Sequence, residues 1–416
     1  MILLFFMTDT LGIPPALAGL AVFIPKLWVI VFDPVMGRIS DHTNSRWGRR
    51  RPYILWGAIF CGIGFYFLFD VPWFETPTGR AAYMTLMFGL VSTAFSIFSV
   101  PYLAMASELA PTYRTRTHIM VYRITFQSVG ILIGIGLAKY LVEWGGSGRE
   151  GYVFMGTVMG IICLASMASP FFATRRVATE TIAAPSITAI EQIKMVVQNK
   201  PYLILASATI LYWLAASCVY AGLPYLLGYI VQGSGALLFN HILLMTVVGM
   251  LALPCWGWLG NRLGKRRAYI ISSLLYCCTM LTWLVAKPDQ DLLFIGRGAL
   301  VGLTNTGLLL MAVAMLPDTI EYDFRKMGVR REGIFSGVWM AIEKAGNAAG
   351  ALVVGVILSL MGFVESSAGV QVEQTEQALN GILIAFSVVP TVLILTSLLI
   401  LRKYPLSEQQ LAELQE

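Results

Sequence analysis

Long apolar runs constrain this chain more than any other feature. Eleven stretches, about 17–37, 52–70, 81–106, 119–141, 152–173, 202–230, 237–259, 268–286, 292–316, 333–362 and 378–401, are each long and apolar enough to cross a bilayer as a helix. Over 416 residues the chain is 57% hydrophobic and 12% charged, about half the charge of a soluble domain. In hydrocarbon every backbone polar group must be bonded within its own segment, so runs of this length dictate helices. Residues 1–7 lack the basic start and small-residue cleavage site of a signal peptide. They read as the last two turns of a further span that begins upstream. The expected fold is an all-α integral membrane protein with 11 complete spans plus the remnant of a truncated first span.

The cations set the orientation. Of 29 Lys and Arg, 21 fall in alternate loops and the C-terminal tail, whereas the opposite loops hold only Arg80, Arg149 and Lys287. Cytoplasmic loops are the positive ones, which places the first set and the C-terminus in the cytoplasm, as in a bacterial inner membrane. The net charge of +6 follows from this topology and implies no nucleic-acid partner. All six cysteines lie within spans, without metal-ligand spacing to His42, His118 or His241. No metal and no cofactor is therefore expected. HExxH, P-loop and GxSxG motifs are absent, so the chain does not read as an enzyme.

An internal echo divides the chain. Gly37-Arg38-Ile39-Ser40-Asp41, running on to Arg49-Arg50-Arg51, is answered by Gly257-Trp258-Leu259-Gly260-Asn261-Arg262, running on to Lys265-Arg266-Arg267. Such an echo is expected of two pseudo-symmetric helical bundles related by an axis along the membrane normal. The division is an N-terminal bundle over 1–173 with an incomplete first helix, a cytoplasmic linker over 174–200, a C-terminal bundle over 201–402 and a cytoplasmic tail over 403–416. Ile187, Ile190 and Ile193 after Pro185-Ser186 predict a short amphipathic helix in the linker. Ser407 with Gln410 predicts a capping box in the tail.

Charges inside the spans are the functional candidates, because each costs about 3 kcal/mol on insertion scales. At a rise of about 1.5 Å per residue, Lys26, Glu343 and Lys344 reach roughly 15–18 Å from the cytoplasmic ends of their spans, while Asp33 and Arg123 lie about 6 Å in. Lys26 and Asp33, seven residues apart, share a helical face, as do Arg123 and Gln127. Both layers are expected to face an interior cavity at the junction of the bundles, the place where transporters bind substrate. Pinning of helices, with Asp33 against Arg123, explains the shallow layer equally. Three cations against two anions leave one cation to be balanced by a substrate carboxylate or by an acid on the first helix. Lys139 and Arg297, nearer the outer surface, are expected to snorkel. Ser96, Ser99, Tyr102, Tyr212, Trp213, Asn305, Trp339 and Asn347 supply hydroxyl, amide and aromatic groups of the kind found in sugar sites, and also of the kind that pack between helices.

Asp33-Pro34-Val35-Met36-Gly37 with Ser45-Arg46-Trp47-Gly48-Arg49 resembles the glycoside–pentoside–hexuronide:cation symporters, the melibiose/cation symporter-like group of the major facilitator superfamily. Pro101-Tyr102, Val121-Tyr122-Arg123, Pro317-Asp318-Thr319-Ile320-Glu321-Tyr322 and Glu343-Lys344-Ala345-Gly346 extend the resemblance along the whole chain. Gly48-Arg49-Arg50-Arg51-Pro52 is also similar to the sucrose/proton branch. The resemblance implies a major facilitator fold and a monomeric symporter. It implies that Asp33 couples a cation and that Arg123 lies close to the sugar. It also links Lys344 to the coupling network, and puts Asp318 and Glu321 at the cytoplasmic end among gating salt bridges. Asp41 and Arg49 of the basic loop, with Lys26 and Glu343, complete that charge network.

The departures carry as much information. Sodium-using members place a second acid where this chain has Val29, and an asparagine where it has Phe32. A hard cation wants several oxygens, whereas a proton needs one titratable group, so proton coupling is expected over sodium. Ser99 stands where galactoside transporters have a sugar-binding acid, and Leu103 where they have a tryptophan. The expected function is proton-coupled symport of a sugar, glycoside or sugar acid by alternating access, with Arg123, Lys344, Gln127, Ser99, Tyr102 and Trp213 toward the substrate. A lipid or lysolipid translocator and a non-transporting sensor are the competing readings on the same fold.

Overall fold

A computed structural model describes residues 2–43, 45–72, 74–108, 126, 130, 134, 137–146, 148–175, 196–327, 332–366 and 372–406. Among them the regular structure is helical throughout. The N-terminal elements are α1 (Ile2–Phe5, continued by a π-helical turn Phe6–Thr10), α2 (Pro15–His42), α3 (Arg51–Phe69), α4 (Pro77–Glu108), α5 (Leu137–Trp144) and α6 (Gly148–Thr174). The C-terminal elements are α7 (Lys200–Tyr225, continued by a π-helical turn Leu226–Val231), α8 (Gly235–Leu263), α9 (Lys265–Leu281), α10 (Asp291–Met327), α11 (Glu332–Leu360), α12 (Glu376–Leu383, continued by a π-helical turn Ile384–Val388) and α13 (Val389–Leu401). Ten helices among the described residues are long and apolar enough to span a membrane. The expected span 119–141 lies mostly outside the described residues, as do the amphipathic stretch of the linker and the capping box of the tail.

The chain divides into two compact units. One comprises Ile2–Ala184 with Val364–Glu373; the other comprises Pro185–Phe363 with Gln374–Glu416 and Met1. Helix starts follow local chemistry. Asn199, Ser234 and Thr375 cap α7, α8 and α12 by accepting from Tyr202, Leu237 and Ala378 backbone N–H groups, and α2, α3 and α7 carry proline in the first turn. Helix ends run past the apolar stretches. The run at 292–316 continues as α10 to Met327, because Asp318 and Glu321 are held by Lys265 and Arg325 at 2.7 Å each.

Glycines set the close packing within each unit. A Cβ at Gly57 would come within 2.6 Å of the Phe98 backbone, and one at Gly160 within 2.7 Å of the Gly62 carbonyl, so α3 packs backbone-close against α4 and α6. In the C-terminal unit, a Cβ at Gly302 would collide with the Met245 carbonyl, and one at Gly350 with Ser217. Small residues at helix interfaces are how membrane helices gain packing energy without a hydrophobic driving force.

Candidate functional site

In the N-terminal unit, α2 carries Lys26 and Asp33. Both are half-buried and both are engaged by neighbouring groups. α2 and α4 run side by side in the same direction: Pro25 lies by Gly89, Trp28 Nε1 donates to Thr93 Oγ1 at 3.1 Å, and Gly37 lies by Val100. This register sets Asp33 level with residues 96–98 of α4. Ser96 is 1% exposed there, and its Oγ has no hydrogen-bond partner among the described residues. Ser99 and Tyr102 follow within two turns on α4, with the Tyr102 ring stacked on Phe98 at 5.2 Å. Beside Asp33, Phe32 stacks on Trp28 at 5.8 Å. Arg123 and Gln127 lie outside the described residues, and with them the expected Asp33–Arg123 pair.

The basic loop after α2 is tightly organised. Gly48 takes φ 95°, a left-handed conformation that glycine adopts without strain. Arg51 is buried and donates to the Trp47 carbonyl at 3.1 Å. Thr43 and Tyr53 hydroxyls meet at 2.6 Å, and the Trp47 ring packs edge-on against Phe171. Arg49 is half-buried and engaged. Asp41 lies in the last turn of α2, with its side chain outside the described set.

In the C-terminal unit, α11 carries Glu343 and Lys344, both half-buried and both engaged. Trp213 of α7 packs against α11 at Gly346, where a Cβ would come within 2.6 Å of the Trp213 Cβ. Its neighbour Tyr212 donates to Asn305 Oδ1 of α10 at 3.1 Å. Asn347 bonds to backbone: its Nδ2 donates to the Glu343 carbonyl at 3.0 Å, and its own backbone carbonyl accepts from Ser217. The structure thus brings Trp213 to the Lys344 segment.

At the end of α10, Asp318 takes Lys265 in both carboxylate oxygens at 2.7 Å, and Glu321 pairs with Arg325 one turn on. Both pairs lie inside the C-terminal unit. Lys265 is thus the partner of Asp318, contributed by the second copy of the basic motif. Tyr404 packs nearby, and burial beside the Asp318 carboxylate pushes its phenol up from the usual range.

Several polar residues escaped the sequence reading. Asp9 is 7% exposed in the π-helical turn after α1, within electrostatic reach of Lys139 and Tyr152. Asp323 of α10 is 4% exposed. Their signal, one acid near the end of an apolar run, is indistinguishable by position from a solvated helix end. Arg80 and Arg149 donate to the Leu11 and Val71 carbonyls, so these two outer-loop arginines close helix ends. Lys139 has Asp9 and Glu143 in reach, and Arg297 sits over the buried Trp283 ring at 5.2 Å.

Apolar helices in two units, with charged side chains held half-buried along them, define a polytopic membrane transporter. The family profile for the MFS/sugar transport proteins matches residues 1–408, and the chain belongs to that family. It is 29% identical to the isoprimeverose transporter of Lactiplantibacillus pentosus, over 94% of this chain and 81% of that protein. It is 25% identical to the glucuronide carrier protein homolog of Escherichia coli K12, over 99% of this chain and 89% of that protein. Among solved structures, a bacterial homolog of the human lysosomal transporter Spinster superimposes with a TM-score of 0.70 at 13% identity, covering 96% of this chain and 92% of that one. That likeness is one of fold.

Proposed function

We propose that this chain is a secondary active symporter that carries a glycoside or sugar acid together with a proton by alternating access. The observation that carries the reading is Asp33. It is a carboxylate half-buried on a membrane-spanning helix, about two turns from the cytoplasmic end of its span, a place where an acid is costly unless it works. The side chains beside it on α2, Val29 and Phe32, offer no oxygen, and the Phe32 ring is occupied against Trp28. A sodium ion would need more oxygen ligands than one carboxylate provides, whereas a proton needs only that group. The isoprimeverose and glucuronide names of the relatives support a sugar-derived solute.

In this reading Arg123, Gln127, Lys344, Ser99, Tyr102 and Trp213 act toward the solute. Lys26 and Glu343 respond to its charge and to that of the proton. Asp41, Arg49, Asp318 and Glu321 belong to the cytoplasmic gate, where Asp318 holds Lys265 as a rigid strut of its own unit. Residues 1–173 and 201–402 are the two functional halves, joined by the linker 174–200. The protein works as a monomer in a bacterial cytoplasmic membrane with its tail, 403–416, on the cytoplasmic side. Uptake into proteoliposomes under imposed pH or sodium gradients tests this. Accumulation driven by an inward proton gradient is expected; accumulation driven by sodium and indifferent to pH overturns proton coupling.

A further inference from the structure

Tyr212 and Asn305 form a built hydrogen bond inside the C-terminal unit. Tyr212 is 2% exposed on α7, and a buried phenol needs a partner for its O–H. That partner is Asn305 Oδ1 on α10, at 3.1 Å. An asparagine amide has one accepting end and one donating end. With Oδ1 engaged by Tyr212, the Nδ2 end is left to donate elsewhere. Asn305 is half-exposed, and among the described residues Nδ2 has no acceptor. Asn347 differs, because its Nδ2 donates to the Glu343 carbonyl one turn back on its own helix.

The depth matches the solute layer. Tyr212 and Trp213 are consecutive on α7, so they point about 100° apart. The first reaches α10 at Asn305, and the second packs on α11 at Gly346, two residues from Lys344. One dipeptide therefore holds the Asn305 amide and the Lys344 segment at a common level. The buried phenol fixes the amide's orientation before a solute arrives, which lowers the ordering cost of binding.

We infer that Asn305, oriented by Tyr212, is a specificity-determining donor to one oxygen of the transported sugar. The inference rests on the symport reading. The chemistry selects a solute with a hydroxyl or carboxylate oxygen at that position and disfavours one that presents hydrogen or a methyl group there. Tyr212 is a positioning residue, since it acts through the amide.

The test is proton-driven uptake of radiolabelled methyl glucoside, methyl xyloside and methyl glucuronide by the full chain in proteoliposomes. For the glycoside that is transported, its monodeoxy analogues follow. Wild type should lose about tenfold in kcat/KM at one deoxy position, the scale of one hydrogen bond of about 1.4 kcal/mol. Asn305→Ala should raise KM for the parent glycoside about tenfold and show no further loss at that same position. Tyr212→Phe removes a single oxygen and should raise KM for the parent glycoside severalfold and shrink the loss at that same deoxy position, with kcat little changed. It carries the test alone if Asn305→Ala is not monodisperse in detergent. Transport by wild type with unchanged KM and an unchanged deoxy profile in the variants would overturn the inference and leave the symport reading standing. A wild type that moves none of the three glycosides would overturn the symport reading, and the inference with it.

Discussion

The two units use one scaffold and put different chemistry on it. In the N-terminal unit the second helix reads Asp33-Pro34-Val35-Met36-Gly37; in the C-terminal unit the corresponding stretch of α8 reads Leu253-Pro254-Cys255-Trp256-Gly257. Proline and glycine are repeated, and the acid is replaced by leucine. The partner helices differ in the same sense. α8 is locked to α10, with Gly302 backbone-close to Met245 and Gly298 against the His241 ring. α2 meets α4 with more room: a Cβ at Gly37 would lie 3.7 Å from Val100 and one at Gly89 4.0 Å from Pro25, ordinary van der Waals distances. The unit that carries Asp33 packs this helix pair less closely at its glycines. The unit that carries Asn305 and Lys344 holds the equivalent helix pair rigidly. Packed interfaces are bistable or fixed, seldom soft; under the proposed symport, the looser pair is the one where a proton changes the local charge.

The comparison can be broken in four ways. The largest effect is expected at Asp33: Asp33→Asn should reduce pH-gradient-driven accumulation in proteoliposomes to the level of protein-free vesicles while sparing solute counterflow. Adding the acid in the other unit, Leu253→Asp on the Asp33→Asn background, should not restore it. Restoration would show the units to be interchangeable. Next is packing. Gly302→Ala should destabilise by about 3 kcal/mol through overpacking against the Met245 carbonyl, read as thermal unfolding in detergent. Gly37→Ala should stay within about 0.5 kcal/mol, and equal losses would refute the difference in slack.

The third effect lies at the turns that close the first helix of each unit. Both end in a π-helical turn and a left-handed residue, Gly12 at φ 59° and Gln232 at φ 57°. Gly12→Ala should cost about 1 kcal/mol, because an L side chain is strained there. Gln232→Gly should be neutral or gain up to about 1 kcal/mol, and a loss of similar size in both would deny the shared geometry. The smallest effect concerns the cytoplasmic strut. Asp318→Asn should cost about 0.5–1 kcal/mol, as part-exposed pairs do. The charge swap Lys265→Asp with Asp318→Lys should recover it, read as thermal unfolding in detergent, and failure to recover would show that the pair depends on neighbours besides each other.

Much of the fold was legible because hydrocarbon leaves so few options. Apolar runs of span length announce helices, and the structure places them within a few residues of the runs at most boundaries. The exceptions have local causes. α10 runs eleven residues past the apolar stretch because Lys265 and Arg325 hold its acids. Asp33 and Lys344 were legible as site candidates for the converse reason, being charges where charge is expensive. Burial of Asp9, Asp323 and Arg51 was not, because one-dimensional position near a span end is the same for a solvated charge and for a packed one.

The sequence by itself determined that this is a helical membrane protein, which family's motifs it carries, and that Val29 and Phe32 deny Asp33 a second oxygen ligand from its own helix. Those are statements about composition and spacing, and the solvent enforces them. Only the tertiary structure decided which polar groups consume one another. Asn305 and Asn347 are equally plausible ligands on paper. Hydrogen bonds are satisfied in three dimensions, and there Asn347 donates to its own helix while Asn305 is aimed by Tyr212.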